Sequence, residues 1–158
     1  LINFFIIFSI FCFDRLSKIY VINFYEKNNG SDLYNSKFLN INLIWNEGIA
    51  FGLFSFSDKF FYHILSFLIG VVILIILVML YRSDGLKKYS LLMILGGALG
   101  NFYDRIIFEA VPDFIDFHVE NFHWFIFNVS DIFICLGVIF MIILEIISNK
   151  KEYLNEKN

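Results

Sequence analysis

The sequence contains little that would break or cross-link a chain: one proline and two cysteines in 158 residues. Cys12 and Cys135 both lie in apolar segments, where a thiol usually packs as a small hydrophobic group, so we expect no disulfide framework. Lysine and arginine never exceed two in a row, and the net charge is only −3. The sequence therefore lacks the basic patches typical of nucleic-acid-binding proteins.

Common catalytic motifs are absent as well. The three histidines, His63, His118 and His123, show no HExxH spacing and no cysteine partner, so their spacing predicts no zinc site and no metal cofactor. There is no GxSxG motif of the kind found in serine hydrolases, and no GxGD motif of presenilin-type intramembrane proteases. An enzyme built on this chain has to use other side chains.

Apolar residues are abundant: they make up 59% of the chain, including 22 phenylalanines, against about 45–50% in a soluble domain. A helix that crosses a membrane needs about 20 apolar residues, so four such helices nearly exhaust the chain. We predict an all-α membrane protein, a four-transmembrane-helix bundle that forms a single domain over residues 1–158. The predicted helices are residues 1–24, 60–81, 89–107 and 129–147, and longer loops connect them at 25–59 and 108–128.

The first long loop has a different pattern. From Phe38 to Phe56 it becomes apolar again, and over part of this stretch apolar and polar residues alternate. A period of two is typical of strands with one buried face, so we predict a small extracytoplasmic β-structure on the bilayer surface. The alternating apolar residues are Leu39, Ile41, Leu43 and Trp45, with Asn40 and Asn42 among them.

Positive charges predict the orientation of the chain. They crowd the turn after the second helix and the C-terminal tail, whereas residues 106–127 contain none. Because cytoplasmic loops are enriched in lysine and arginine, both termini are predicted to be cytoplasmic and both longer loops to face outward. The basic residues concerned are Arg82, Lys87 and Lys88 in the turn, and Lys150, Lys151 and Lys157 in the tail.

Polar side chains occur inside the predicted helices, where each needs a partner. Asp14 and Lys18 are four residues apart, so they share a helix face and can pair. A structural ion pair and a role in binding substrate or lipid headgroups are both open for them. Asn101 and Asp104 share a face of the third helix. Arg105 is predicted to contact a carboxylate or a backbone carbonyl and so to order the loop that follows.

Acids gather near the start of the fourth helix. Asp113 and Asp116 come from the second long loop, and Asp131 follows Asn128 by three residues, so we expect the three carboxylates to converge. An asparagine cap and a first-turn acid can also occur at any helix start, which is the alternative explanation for Asn128 and Asp131. Close carboxylates cannot both ionise easily, so one holds a proton while the other acts as a base. Such a pair can activate water toward a peptide carbonyl.

Five short blocks give the sequence a specific family resemblance. They are DRLSK (14–18), NEGIAFG (46–52), GGALGNFYDR (96–105), VPDFIDF (111–117) and FNVSD (127–131). In order and spacing they resemble those of the lipoprotein signal peptidases, also called signal peptidase II, which are four-helix aspartic endopeptidases of the bacterial inner membrane. The alternative class is a small transporter or proton-conducting bundle, which would need polar residues at several depths of the membrane.

The resemblance implies a reaction and a set of site residues. Asp113 and Asp131 match the catalytic pair of the family, which cuts the signal peptide of a prolipoprotein before a diacylglyceryl-modified cysteine. It also implies an active site near the outer face of the membrane, inhibition by globomycin, contact with lipid, a surface helix, and no cofactor. A single pair of acids needs no partner subunit, so we expect a monomer. The positions matched to substrate positioning or support are Asp14, Lys18, Asn46, Gly48, Asn101, Asp104, Arg105 and Asn128.

Three positions depart from the family pattern. Pro112 precedes the first catalytic acid, where valine or another residue is common, and Ile49 and Ser130 each replace a usual alanine. Ser130 adjoins Asp131 and is predicted to donate a hydrogen bond to it, which would alter the pH optimum.

Overall fold

The computed structural model describes residues 1–48, 59–120 and 122–155. All four predicted helices are present, and each extends beyond at least one of its predicted bounds. The elements in chain order are α1 (Ile2–Lys27), β1 (Tyr34–Asn35), β2 (Leu39–Asn46), α2 (Lys59–Tyr81), α3 (Gly85–Phe108), β3 (Val111–Val119), β4 (Phe122–Phe127) and α4 (Val129–Asn155).

The third helix, α3, lies at the centre of the bundle, in contact with α1, α2 and α4. Its glycines permit this, as the four-residue spacing of Gly96 and Gly100 predicts. A Cβ atom added at Gly96 would lie 2.9 Å from Ile10 Cβ of α1, and one added at Gly97 would lie 2.4 Å from the carbonyl oxygen of Ser130 in α4. Both distances are too short for a real Cβ contact, so neighbouring helices pack directly against the α3 backbone.

We expect Gly97→Ala to destabilise the protein, because the Ser130 carbonyl belongs to the backbone and cannot rotate away. Overpacking of this kind typically costs about 1–3 kcal/mol. Gly70→Ala on α2 is the matched control: its Cβ would lie 3.4 Å from the Phe102 ring, an ordinary contact, and alanine favours a helix over glycine by about 1 kcal/mol. Thermal unfolding of the two purified variants in detergent measures the difference. Equal midpoints would show that α4 moves away from α3 at little cost.

Within the described residues, three helices are long and apolar enough to cross a membrane: Tyr62–Tyr81, Gly85–Phe108 and Val129–Lys150. The first helix, α1, has 26 residues, but it contains Asp14, Arg15 and Lys18 near its middle. Asp14 and Lys18 are fully buried in the protein, whereas apolar residues of α1 such as Phe5 are exposed. The Asp14 and Lys18 charges of α1 therefore face the bundle, and apolar residues such as Phe5 face outward.

The sheet is antiparallel, with the strand order β1-β2-β3-β4. The strand predicted from the alternation between Leu39 and Trp45 is confirmed: these residues lie in β2. Residues 108–128, predicted only as a loop, contain β3 and β4, because pairing with the distant β2 holds them extended. Pro112 is tolerated in β3 because β4 pairs with β3 only from Ile115 onward. At the proline, β2 is therefore the only strand among the described residues that pairs with β3, and a proline is accepted at such an edge position.

A small apolar core joins the sheet to the helices. Val21 of α1, Phe114 of β3 and Val129 of α4 are buried together, so the sheet contacts the C-terminal part of α1 and the start of α4. Among the described residues α1–α4 are the only helices, and the implied surface helix has no counterpart there. Residues 49–58, which include Ile49 and the rest of the predicted β-structure to Phe56, lie outside the described residues.

Candidate active site

Asp113 lies on β3, shortly after the end of α3. The helix ends where Glu109 adopts a left-handed backbone conformation (φ 53°), and the chain turns there into the strand. Asn46 of β2 pairs with Val111 and lies diagonally across from Asp113, within side-chain reach. Its Nδ2 donates a hydrogen bond to Asp113 Oδ2 at 2.9 Å, and its Oδ1 accepts one from the backbone N–H of Gly48 at 3.0 Å. The sheet register thus positions the first predicted acid.

Asn128 connects Asp113 to Asp131 at the start of α4. Its Nδ2 donates to Asp113 Oδ1 at 2.6 Å, while its Oδ1 accepts from the backbone N–H of Asp131 at 3.1 Å. In return, Asp131 Oδ2 accepts from the backbone N–H of Asn128 at 3.1 Å. This is the reciprocal capping arrangement of a helix N-terminus. Asn128 is therefore both a helix cap and the bridge between the two acids.

Asn101 of α3 links Asp131 to a buried ion cluster. Its Nδ2 donates to Asp131 Oδ1 at 2.7 Å, and its Oδ1 accepts from Lys18 Nζ at 2.8 Å. The same ammonium lies 2.8 Å from Asp14 Oδ2 and 2.6 Å from Asp104 Oδ2. All three charged side chains are completely buried. The predicted pairing of Asp14 with Lys18 and the shared face of Asn101 and Asp104 are confirmed.

Three contacts in and around this network were not predicted from the sequence. Arg15 forms an ion pair with Asp104, and its Cζ lies 5.2 Å from the ring centre of Tyr103. The position of Arg15 next to Asp14 in the DRLSK block was the available signal. The backbone N–H of Ser130 donates to Asp14 Oδ1 at 2.8 Å and so ties α4 to α1. A backbone donor leaves no signal in a sequence.

Two predicted hydrogen bonds differ in the structure. Arg105 donates to a backbone carbonyl, as one of its two predicted alternatives has it, but this carbonyl is that of Asn101 in its own helix, at 3.2 Å, and not one of the following loop. Ser130 Oγ is buried and has no hydrogen-bond partner among the described residues, so the predicted bond to Asp131 is absent. The glycines of α3 bring Ser130 close to the α3 backbone, where its hydroxyl turns toward Gly100.

The third predicted carboxylate does not join the pair. Asp116 lies three residues after Asp113 on the same strand, so the two side chains leave opposite faces of the sheet. Asp116 is buried and its Oδ2 lies 2.8 Å from Nδ1 of His123 on β4. The prediction of three converging acids is therefore wrong, and the site contains two.

Burial sets the acid strength of Asp113, whose residue surface is only 4% exposed. Burial raises its pKa to about 6, and the negative charge of Asp131 acts in the same direction, while hydrogen bonds from Asn46 and Asn128 oppose the rise. Two close acids titrate as a unit. Asp113 therefore holds a proton at a pH at which an exposed aspartic acid has lost it, and the site offers an acid beside a base.

Comparisons with known proteins identify the family of this chain. The family model described as signal peptidase (SPase) II matches residues 6–147. The lipoprotein signal peptidase of Pelagibacter ubique (strain HTCC1062) is 48% identical over 157 residues, which cover 99% of this chain and 94% of that protein. The lipoprotein signal peptidase of Anaplasma marginale (strain Florida) is 33% identical over 144 residues, covering 90% and 82%.

A solved structure is also similar. It is described as a bacterial membrane enzyme, determined by the in meso method at 2.3 Å resolution, and it superposes with a TM-score of 0.72 at 28% identity, covering 94% of this chain and 90% of that one. Since the family model spans most of the sequence and a relative 48% identical covers nearly all of it, the chain belongs to the signal peptidase II family of membrane aspartic peptidases.

Proposed function

We propose that this protein removes signal peptides from prolipoproteins, cutting just before a cysteine that bears a diacylglyceryl group. Family membership supports the reaction. The single observation that carries it for this chain is the bridge from Asp113 through Asn128 to Asp131. Each acid also accepts a second hydrogen bond from a side-chain amide: Asp113 from Asn46 and Asp131 from Asn101. All four carboxylate oxygens of the pair therefore have a defined donor.

In the proposed mechanism Asp113 and Asp131 share one proton. The ionised acid takes a proton from water as the water oxygen attacks the scissile carbonyl. The protonated acid polarises that carbonyl and then donates its proton to the departing amine nitrogen, which breaks the peptide bond. The amides keep both acids in place during these steps, so little reorganisation is needed at the moment of reaction.

The remaining site residues are proposed to act at different distances from the substrate. Asp14, Lys18 and Asp104 are completely buried, which supports a role in holding Asn101 rather than in touching the peptide. Gly48 and Arg105 lie at the margin of the site through their bonds to Asn46 and Asn101. They are proposed to position the substrate backbone.

The composition and the family indicate a bacterial membrane protein. We propose that α1 is a fourth membrane span, because the charges of Asp14 and Lys18 in its middle are buried in the bundle and apolar residues such as Phe5 are exposed on its other side. The basic turn after α2 and the basic C-terminal tail support cytoplasmic termini, with the sheet and Asp113 at the outer face. A lipid-anchored cysteine would hold the scissile bond at that level. One chain contains every residue of the proposed site, which supports a monomer.

A cleavage assay tests the function. The purified protein in detergent is incubated with a diacylglyceryl-modified prolipoprotein, with the unlipidated precursor and globomycin as parallel controls. We expect cleavage of the lipidated form alone and its inhibition by globomycin. If a related enzyme cuts this substrate under the same conditions and this protein does not, the proposal is wrong, and solute or proton flux in liposomes becomes the measurement to make.

We expect kcat/KM to fall above about pH 6, where Asp113 loses its proton. The active pair holds one proton and rising pH removes it, so the rate decreases by about tenfold per pH unit well above the pKa. Asn46→Ala removes a hydrogen bond that lowers the pKa of Asp113, so the falling limb should move to higher pH. His63 is an exposed residue of α2, so His63→Ala should leave the falling limb at the wild-type pH. A limb that stays fixed in Asn46→Ala would assign the titration to another group.

A further inference from the structure

A second cluster of ionisable side chains lies on the β3–β4 hairpin, on the sheet face opposite to Asp113. Asp116 and His118 are two residues apart on β3 and therefore share that face. His123 of β4 is the cross-strand partner of His118. One nitrogen of each histidine and one oxygen of Asp116 all lie within 4.8 Å of one another.

A β-bulge creates this cluster. Phe117 pairs with Phe125, but the next residue, His118, pairs with His123, so Trp124 is an extra residue on β4. In a regular register Trp124 would lie opposite His118. Bulges re-aim side chains in this way and are treated as features of the fold. The bulge therefore brings two histidines and an aspartate to one point of the sheet.

One atom of the cluster lacks the partner that its burial requires. His123 Nδ1 lies 2.8 Å from Asp116 Oδ2, whereas His118 Nδ1 is 4.0 Å from the same oxygen, too far for a hydrogen bond. The His118 side chain is only 10% exposed, and its Nδ1 has no hydrogen-bond partner within the described residues. A buried polar atom without a partner has lost its hydrogen bonds to water and gained none in return, so a bound group that contacts this nitrogen is favoured.

The identity of that group follows from the donor atoms. The two histidine rings are stacked with centres 5.2 Å apart, and the Asp116 carboxylate lies beside both of them. A cation between these side chains would bond to one nitrogen of each imidazole and would also satisfy the carboxylate. Two imidazole nitrogens with one carboxylate oxygen are typical ligands of zinc in three-ligand sites, which keep a further position for water.

We propose that Asp116, His118 and His123 bind one Zn²⁺ ion, which joins β3 to β4. Zinc bonds of about 2.0–2.2 Å place the ligand atoms of a tetrahedral site about 3.4 Å apart. His118 Nδ1, now 4.0 Å from Asp116 Oδ2, has to approach slightly, and His123 Nδ1, now 2.8 Å from the same oxygen, has to move back, for which its half-exposed side chain has room. The ion lies apart from the acid pair, on the other face of the sheet. The histidine spacing predicted no zinc site, because it lacks the HExxH pattern. The hairpin and its bulge bring the three ligands together instead.

Zinc titration of the full chain by calorimetry tests the proposal, with a purification tag that contains no histidine and detergent free of chelators. We expect one zinc per chain. Losing one outer-shell partner of a metal site typically weakens binding about 10–100-fold, so loss of a direct ligand in His123→Ala should weaken it at least tenfold. His63→Ala is the matched control, because it removes the remaining histidine of the chain, on α2, and should bind zinc like the wild type.

A second variant distinguishes whether His123 binds a metal ion or only donates a hydrogen bond. His123→Gln retains an N–H donor for Asp116 but is a poor zinc ligand, so it should fold and still lose zinc affinity. Its thermal midpoint should not rise on addition of zinc, whereas that of the wild type should. Wild-type affinity in His123→Gln, or no zinc binding by the wild type, would overturn the proposal and leave a hydrogen-bonded pair.

The acid pair is the other place where a cation could bind. Asp113→Asn should retain stoichiometric zinc binding, since it lies on the opposite face of the sheet. Loss of zinc in Asp113→Asn together with its retention in His123→Ala would place the ion at the acid pair and overturn the hairpin site. Because the measurement is binding, its result is independent of whether the prolipoprotein is cleaved.

Discussion

Asp113→Asn and Asp131→Asn should each abolish cleavage of a lipidated prolipoprotein while the variant protein stays folded in the membrane. Each substitution removes an acid or base that transfers a proton in the transition state, and such groups contribute about 10²–10⁴-fold to the rate. Asparagine retains the size and part of the hydrogen bonding of aspartate, so the contact with Asn128 is kept in part. The initial cleavage rate at equal protein concentration is the measurement.

The control for this experiment is Asp32→Asn, which neutralises an exposed aspartate in the loop between α1 and β1. It should cleave at the wild-type rate. Thermal unfolding in detergent establishes that all three variants are folded. If both Asp113→Asn and Asp131→Asn keep more than about a tenth of the wild-type rate, well above what loss of acid–base catalysis predicts, the pair is not the catalytic apparatus.

Lys18→Met should destabilise the protein more than any other single change considered for the helices. Lys18 is completely buried and its ammonium contacts Asp14 and Asp104. Removing one partner of a buried ion cluster leaves uncompensated charge and typically costs about 3–5 kcal/mol. Activity should fall as well, because Asn101 loses the donor that orients it toward Asp131. The midpoint of thermal unfolding in detergent measures the loss of stability.

Lys87→Met is the matched control for burial. Lys87 also contacts a carboxylate at 2.6 Å, that of Glu145, but both side chains are about half exposed, and exposed pairs contribute only about 0–1 kcal/mol. Adding Asp14→Asn to Lys18→Met restores neutrality, since Asp104 still pairs with Arg15, and should recover part of the stability. Equal effects of Lys18→Met and Lys87→Met would show that the buried cluster does not stabilise the fold.

The helices could be predicted because their signal is local. An apolar run long enough to span a membrane is visible in any window of sequence, and the Asp14–Lys18 pair follows from helical spacing alone. The alternation of β2 is equally local. The strands β3 and β4 were read as a loop because they become strands by pairing with β2, a segment far away in the sequence, and because Pro112 and two aspartates weaken the pattern of β3.

The site was predictable in its members but not in its connections. Asp113, Asp131 and the asparagines that hold them lie in short blocks whose order and spacing are specific. Whether Asp116 belongs with them depends on which face of the sheet it leaves, and one residue of register reverses that face. Ser130 differs from its prediction for another reason: its hydroxyl makes no hydrogen bond to Asp131, and its backbone N–H instead contacts Asp14 of α1, a contact that depends on how α4 packs against α1.

By itself the sequence determined the apolar helices, the residues of the acid pair and the family, because these depend on composition and on short motifs. Only the tertiary structure decided which of these residues meet. It separated Asp116 from the acid pair, brought Arg15 and the Ser130 backbone into the ion cluster, and placed His118 opposite His123 through a bulge. The physical reason is that strand register, helix packing at glycine and burial are set by contacts between segments distant in the chain, which no local pattern of residues encodes.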